Sequence, residues 1–185
     1  LVPDSATAAY TLTLETVSRS DDLSIAAGSS AELVASQINA IAKDHGVMAA
    51  AATRVEFSGP TVSGTASFSL ESLNQKPIAI SAELSDSDLT DFAQKINEVA
   101  NQTGVRAHLS DDKLRVVLES ETGKDIIVSN FSYAGTIDTQ VVDGRTQSLT
   151  GAVTLGDGEN DTARYSGEIE LLSQGDFSIT ASGGA

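Results

Sequence analysis

The chain has 185 residues, 40% of them hydrophobic, and a formal net charge of −15 from 26 acidic against 11 basic residues. That content supports a packed core and excludes a disordered tail, and the length suits one sizeable domain or two small ones. The absence of cysteine rules out disulfides, thiolate metal sites and a cysteine nucleophile, the dispersed negative charge opposes binding to nucleic acid or anionic lipid, and no apolar run reaches the roughly 18 residues a membrane-spanning helix needs.

Tyr10-Thr11-Leu12-Thr13-Leu14 alternates apolar and polar residues and predicts a strand, with Leu23-Ser24-Ile25 as its partner across a polar turn. Ser29-Ser30-Ala31-Glu32 has capping-box spacing, with Ser29 as the cap and Glu32 reaching back. The helix it opens runs to about Asp44 and presents Leu33, Gln37, Ile38 and Ile41 on one face. Gly46 is placed to end it in a left-handed conformation, and Val47 to Phe57 reads as a long, Ala-rich strand. The order then repeats. Ala66-Ser67-Phe68-Ser69-Leu70 and Ile78-Ala79-Ile80 are strands, and Ser85-Asp86-Ser87-Asp88 brings negative charge to the start of a second helix. Leu89, Phe92, Ile96 and Val99 form its buried stripe, and Gly104 stops it. Strands follow at Val105 to Leu109, Leu114 to Leu118 and Ile126 to Val128, with turns at Asp111-Asp112 and Thr122-Gly123. Ile137 to Val142 and Ser148 to Leu155 are strands around the hairpin-type dipeptide Asp143-Gly144.

The repetition has a fixed spacing. Gln37-Ile38-Asn39-Ala40-Ile41 with Gly46-Val47-Met48-Ala49 recurs as Lys95-Ile96-Asn97-Glu98-Val99 with Gly104-Val105-Arg106-Ala107. The asparagines, the glycines and the leading aromatics Tyr10 and Phe68 all share one offset, which indicates a duplicated supersecondary unit. The first copy lacks two final strands after Phe57. Their match appears at the far end, where Glu168-Ile169-Glu170-Leu171-Leu172-Ser173, the turn Gln174-Gly175 and Phe177-Ser178-Ile179 resemble Arg115 to Ser120 and Ile126-Ile127-Val128. The expectation is an α+β protein of two related domains, each a small, mainly antiparallel sheet with one packed helix, the second inserted into the first. Residues 1–58 plus 163–185 would form the inner, discontinuous domain and 59–162 the inserted outer one. Insertion requires Tyr10 and Ile179 to lie in one sheet; three tandem segments would not.

This pattern resembles a motif in the central region of bacterial flagellins. It is carried here by Ile38-Asn39 with Gly46-Val47-Met48-Ala49, by Ile96-Asn97 with Gly104-Val105-Arg106-Ala107, and by Leu114-Arg115-Val116-Val117-Leu118-Glu119-Ser120. Related motifs occur in other axial flagellar proteins, such as the filament cap. The resemblance implies the surface-exposed outer domains of an extracellular filament subunit, a structural role in motility and antigenicity, and no catalysis. It also implies partners in other flagellin subunits, reached through terminal regions absent from this sequence, with host receptors or antibodies at the exposed face. The chain starts at Leu1-Val2-Pro3 and ends at Gly183-Gly184-Ala185, and is expected to be an excised, monomeric fragment. The alternative is an adhesin-like or cap-type binding module, which exposed aromatics on one loop face would mark.

Chemistry is sparsely signalled, and no catalytic, cofactor or metal residue is assigned. His45 and His108 stand apart, and neither begins a His-Glu-x-x-His helix. His45 reads as a helix-terminal residue. Asp157, Glu159, Asp161 and Glu168 fall at positions 1, 3, 5 and 12 of a calcium-loop count, but Thr162 occupies the place of the sharp-turn glycine, so an exposed acidic turn is the expectation. Asn101, Asn130 and Asn160 each begin an Asn-x-Ser/Thr tripeptide that a bacterial protein carries by coincidence.

Overall fold

Most of the regular elements are strands, and the helices among the described residues all lie before residue 104. The computed structural model describes residues 8–17, 19–42, 46–74, 76–173 and 175–183. The elements are β1 (Tyr10–Thr16), β2 (Arg19–Ile25), α1 (Ala31–Ala42), β3 (Val47–Ser58), β4 (Gly64–Glu71), β5 (Ile78–Leu84), α2 (Thr90–Glu98), α3 (Ala100–Thr103), β6 (Arg106–Leu109), β7 (Arg115–Ser120), β8 (Ile126–Ser132), β9 (Thr136–Val142), β10 (Leu149–Gly156), β11 (Ala163–Tyr165), β12 (Glu168–Ser173) and β13 (Phe177–Ser182). The fold is mixed α+β, with few helices, and its named strands pair antiparallel throughout.

Among the described residues the strands form three sheets: β13-β1-β2; β11-β8-β4-β5; and β10-β9-β3-β7-β6, with β12 also on β3. Within the first, Leu14 pairs with Ile179, so the segments around Tyr10 and Ile179 share a sheet. The apolar faces bury into two clusters. The larger holds Phe57, Phe68, Phe92, Phe131, Tyr133 and Tyr165 beneath α2, with Phe57 and Phe92 5.4 Å apart between ring centroids. The smaller holds Leu14, Ile25, Val34, Ile38 and Val47 beneath α1. β3 serves both: Val47 and Ala49 belong to the smaller cluster, Val55 and Phe57 to the larger. Its first half pairs with β12 and its second half with β7 and β9.

The second helix matches its expected stripe, with Leu89, Phe92 and Ile96 fully buried and Val99 partly so. The first differs. α1 buries Ala31, Val34, Ala35, Ile38 and Ala42, while Leu33 is 48% exposed. Its cap also falls one residue later than expected: the Leu33 N–H donates to Ser30 Oγ at 3.3 Å. Ser29 Oγ instead donates to the Ala26 carbonyl, and Glu32 lies 3.7 Å from the Lys124 ammonium. Asp143-Gly144 does not form a two-residue hairpin. The loop closes between the Asp143 N–H and the Ser148 carbonyl, and Asp143 Oδ1 accepts from the N–H groups of Arg145 and Thr146. Ala163–Tyr165 pairs with β8 and sits in the larger cluster rather than beside β12. Asp44, His45 and Gln174 lie outside the described residues.

Candidate functional site

The duplicated asparagines perform one piece of hydrogen bonding twice. Asn39, near the end of α1, accepts from the Ala49 N–H and donates to the Ala49 carbonyl, both at 2.8 Å. Asn97, near the end of α2, does the same to Ala107, both at 2.9 Å. A primary amide carries one acceptor and a donor side by side, so it can replace the peptide group of a neighbouring strand. Ala49 stands opposite Leu171 and Ala107 opposite Leu118. The N–H and C=O of one residue leave a strand on the same side. Both alanines therefore occupy non-hydrogen-bonded pairs of their ladders and turn their polar groups to the clamp. Gly46 (φ 68°) and Gly104 (φ 71°) take the left-handed conformation that swings the chain back beneath the helix end.

A second construction joins the two halves of the molecule. Arg54, at the middle of β3, pairs with Glu119 of β7 at 2.7 Å and with Glu168 of β12 at 3.2 Å. Glu168 Oε1 also accepts the Gly144 N–H at 2.6 Å, and His108 Nε2 lies 3.3 Å from Glu119. Gly144 is glycine because of close approach, not because of a positive φ: a Cβ there would collide with the Arg54 guanidinium and the Glu168 carboxylate. Around these groups opens a groove of about 770 Å³, floored by Ala50 and Ala52. Sequence reasoning passed over Arg54; its one signal was that it is the single cation of β3, on the same register as Glu56 and Ser58.

Carboxylates displaced from their usual range belong to turns and caps. The Thr90 hydroxyl and N–H hold Asp88 below the ordinary range, the Ser110 hydroxyl does so for Asp112, and Thr146 for Asp143; all three are solvated. The acidic stretch 157–161 folds as an exposed turn, with Glu159 N–H on the Gly156 carbonyl and Gly156 N–H on the Asn160 carbonyl. Glu168, the last member of the calcium count, is engaged by Arg54 and Gly144 instead. Among the described residues no group of three or more His, Cys, Asp or Glu side chains is arranged to hold a metal ion. All eight aromatic residues lie in or against the two cores.

No protein-family model matches the chain, and no curated protein matches it in sequence. Among solved structures, two chains of the flagellar cap protein FliD from Escherichia coli are similar. One comprises domains D1-D2-D3 (12% identity, TM-score 0.32), with 96% of this chain aligned to 49% of that one. The other comprises D2-D3 (12% identity, TM-score 0.33), with 95% of this chain aligned to 89% of that one. The chain thus spans about half the length of the first. Likeness at this level assigns no function.

Proposed function

We propose that the chain forms surface-exposed outer domains of an axial flagellar protein, a flagellin-type filament subunit, with a structural role and no catalysis. The observation that carries this reading is the flagellin-like Ile-Asn and Gly-Val-x-Ala pattern, present twice and closed each time by the same asparagine clamp. Supporting features are the solvated acidic surface, the absence of long amphipathic helices among the described residues and the burial of the aromatics, which leaves no exposed stacking platform for a glycan. The reading includes an insertion: residues 59–162 interrupt an inner unit made of 1–58 and 163–185. Separate apolar clusters and the β1–β13 pairing support it; because β11 pairs with β8, we count it with the insert and propose Ser166-Gly167, rather than 163, as the return point. Subunit assembly would use other regions of the parent protein, and the isolated chain would be a monomer.

Immunogold labelling of intact cells with antibodies raised against this chain tests the reading. Label along the whole filament is expected. Label confined to the tip would replace the filament subunit by a cap-type protein, and label absent from flagella would end the flagellar reading.

A further inference from the structure

The two units differ at one sheet edge. In the second unit, β11 covers the outer edge of β8, with Ala163, Arg164 and Tyr165 opposite Val128, Ile127 and Ile126. Asp125, immediately before β8, receives the Arg164 guanidinium at 2.7 Å, and its side chain is only 5% exposed. Ala163 and Tyr165 face inward, and Val128 beneath them is 1% exposed.

β13 is the counterpart of β8 in the first unit. Each pairs antiparallel with the first strand of its hairpin, Leu70 opposite Val128 and Leu14 opposite Ile179. Matching the buried Leu14 to the buried Leu70, two residues off the Tyr10–Phe68 spacing, sets Phe177 and Ile179 where Ile126 and Val128 stand, and Asp176 immediately precedes β13 as Asp125 precedes β8. Yet no strand lies on the outer edge of β13 among the described residues. Ile179 is 36% exposed and Asp176 is exposed.

We propose that the outer edge of β13 receives a short antiparallel strand from another protein, carrying an arginine or lysine between two apolar residues. The cation pairs with Asp176, and the flanking side chains cover Phe177 and Ile179. The unpaired N–H and C=O groups of an edge strand supply the hydrogen bonds for such an addition. Charge selects the partner: a chain of net charge −15 favours a basic segment and opposes a second copy of itself. β11 is the internal pattern for the incoming strand. This inference rests on the duplication and is independent of the filament reading.

The test extends the full chain at its C-terminus by a flexible Gly/Ser linker and the sequence Thr-Ala-Arg-Tyr-Ser. β13 runs toward that end, so the added strand can fold back antiparallel at millimolar effective concentration. Amide hydrogen exchange, read residue by residue by NMR, is expected to slow by about tenfold or more within Phe177 to Ile179 relative to the unextended chain. Replacing the added Arg by Ala, or Asp176→Asn in the chain, is expected to remove about two- to fivefold of that protection. Unchanged exchange at Phe177 to Ile179 would overturn the proposal. So would protection indifferent to Asp176, protection that rises with protein concentration, or slowing at Ile126 to Val128 through displacement of β11.

Discussion

The side-chain amide of Asn97 and the backbone of Ala107 exchange two hydrogen bonds of 2.9 Å, joining the end of α2 to the edge of β6. Asn97→Ala would leave a backbone donor and acceptor on the mostly buried Ala107 without partners. The expected cost is about 1–3 kcal/mol, or a melting temperature lower by roughly 3–8 °C. Asn97→Asp keeps the acceptor but sets a carboxylate against the Ala107 carbonyl, so it should not restore stability. Thermal unfolding of the two variants checks this, and an unshifted Asn97→Ala transition would reduce the clamp to an incidental contact.

The faces of the two helices make a sharper contrast. Leu33 is exposed and Val34 buried in α1. Leu33→Asp should change stability by less than about 0.5 kcal/mol. Val34→Asp places an unpaired carboxylate in the smaller cluster and should cost several times more. In α2, Ile96→Ala truncates a fully buried side chain and should cost about 2–5 kcal/mol. Urea denaturation ranks all three, and equal effects at positions 33 and 34 would show that α1 can rotate on its sheet.

These helices also show what was legible in the sequence. α2 declares its face because Asp91, Gln94, Lys95 and Glu98 mark the solvent side. α1 is apolar nearly all round, with Ala31, Leu33, Val34, Ala35, Ile38, Ala40, Ile41 and Ala42, so periodicity alone does not choose a side. The duplication does choose it. Leu89, Phe92, Ala93 and Ile96 carried back by the repeat spacing become Ala31, Val34, Ala35 and Ile38, all four of them buried. The strands and the paired glycines were readable from alternation and turn chemistry. The function of the asparagines was not, because an amide's partner depends on which strand passes the helix end. Nor was Arg54, one of whose partners, Glu168, lies 114 residues further along the chain.

Gly144 and Arg54 can be tested as a coupled pair. Gly144→Ala should push the Arg54–Glu168 ion pair apart, and Arg54→Ala should leave Glu119 and Glu168 facing each other without their shared cation. Each change alone should cost about 1–3 kcal/mol. Because Gly144→Ala acts through Arg54, it should cost less in an Arg54→Ala background. A double-mutant cycle measures that coupling, and additive losses would mean that the glycine serves its loop alone.

Tyr165 connects the larger core to alkaline stability. Burial raises its phenol to about 12, and its hydroxyl donates a hydrogen bond to Thr139 Oγ1 at 2.7 Å. An unfolded tyrosine titrates near 10. The folded state thus holds this proton more tightly. Its contribution is fully present below about pH 10 and is lost progressively as the pH rises through about 12, a total of roughly 2–3 kcal/mol. Tyrosinate absorbance should accordingly show this phenol silent until the chain unfolds, then ionising together with the loss of structure. Tyr165→Phe should remove this part of the pH dependence above pH 10, although it also deletes the bond to Thr139 at every pH. A phenol that titrated near 10 in the folded chain would mean that the core around Phe57 and Tyr165 opens to water.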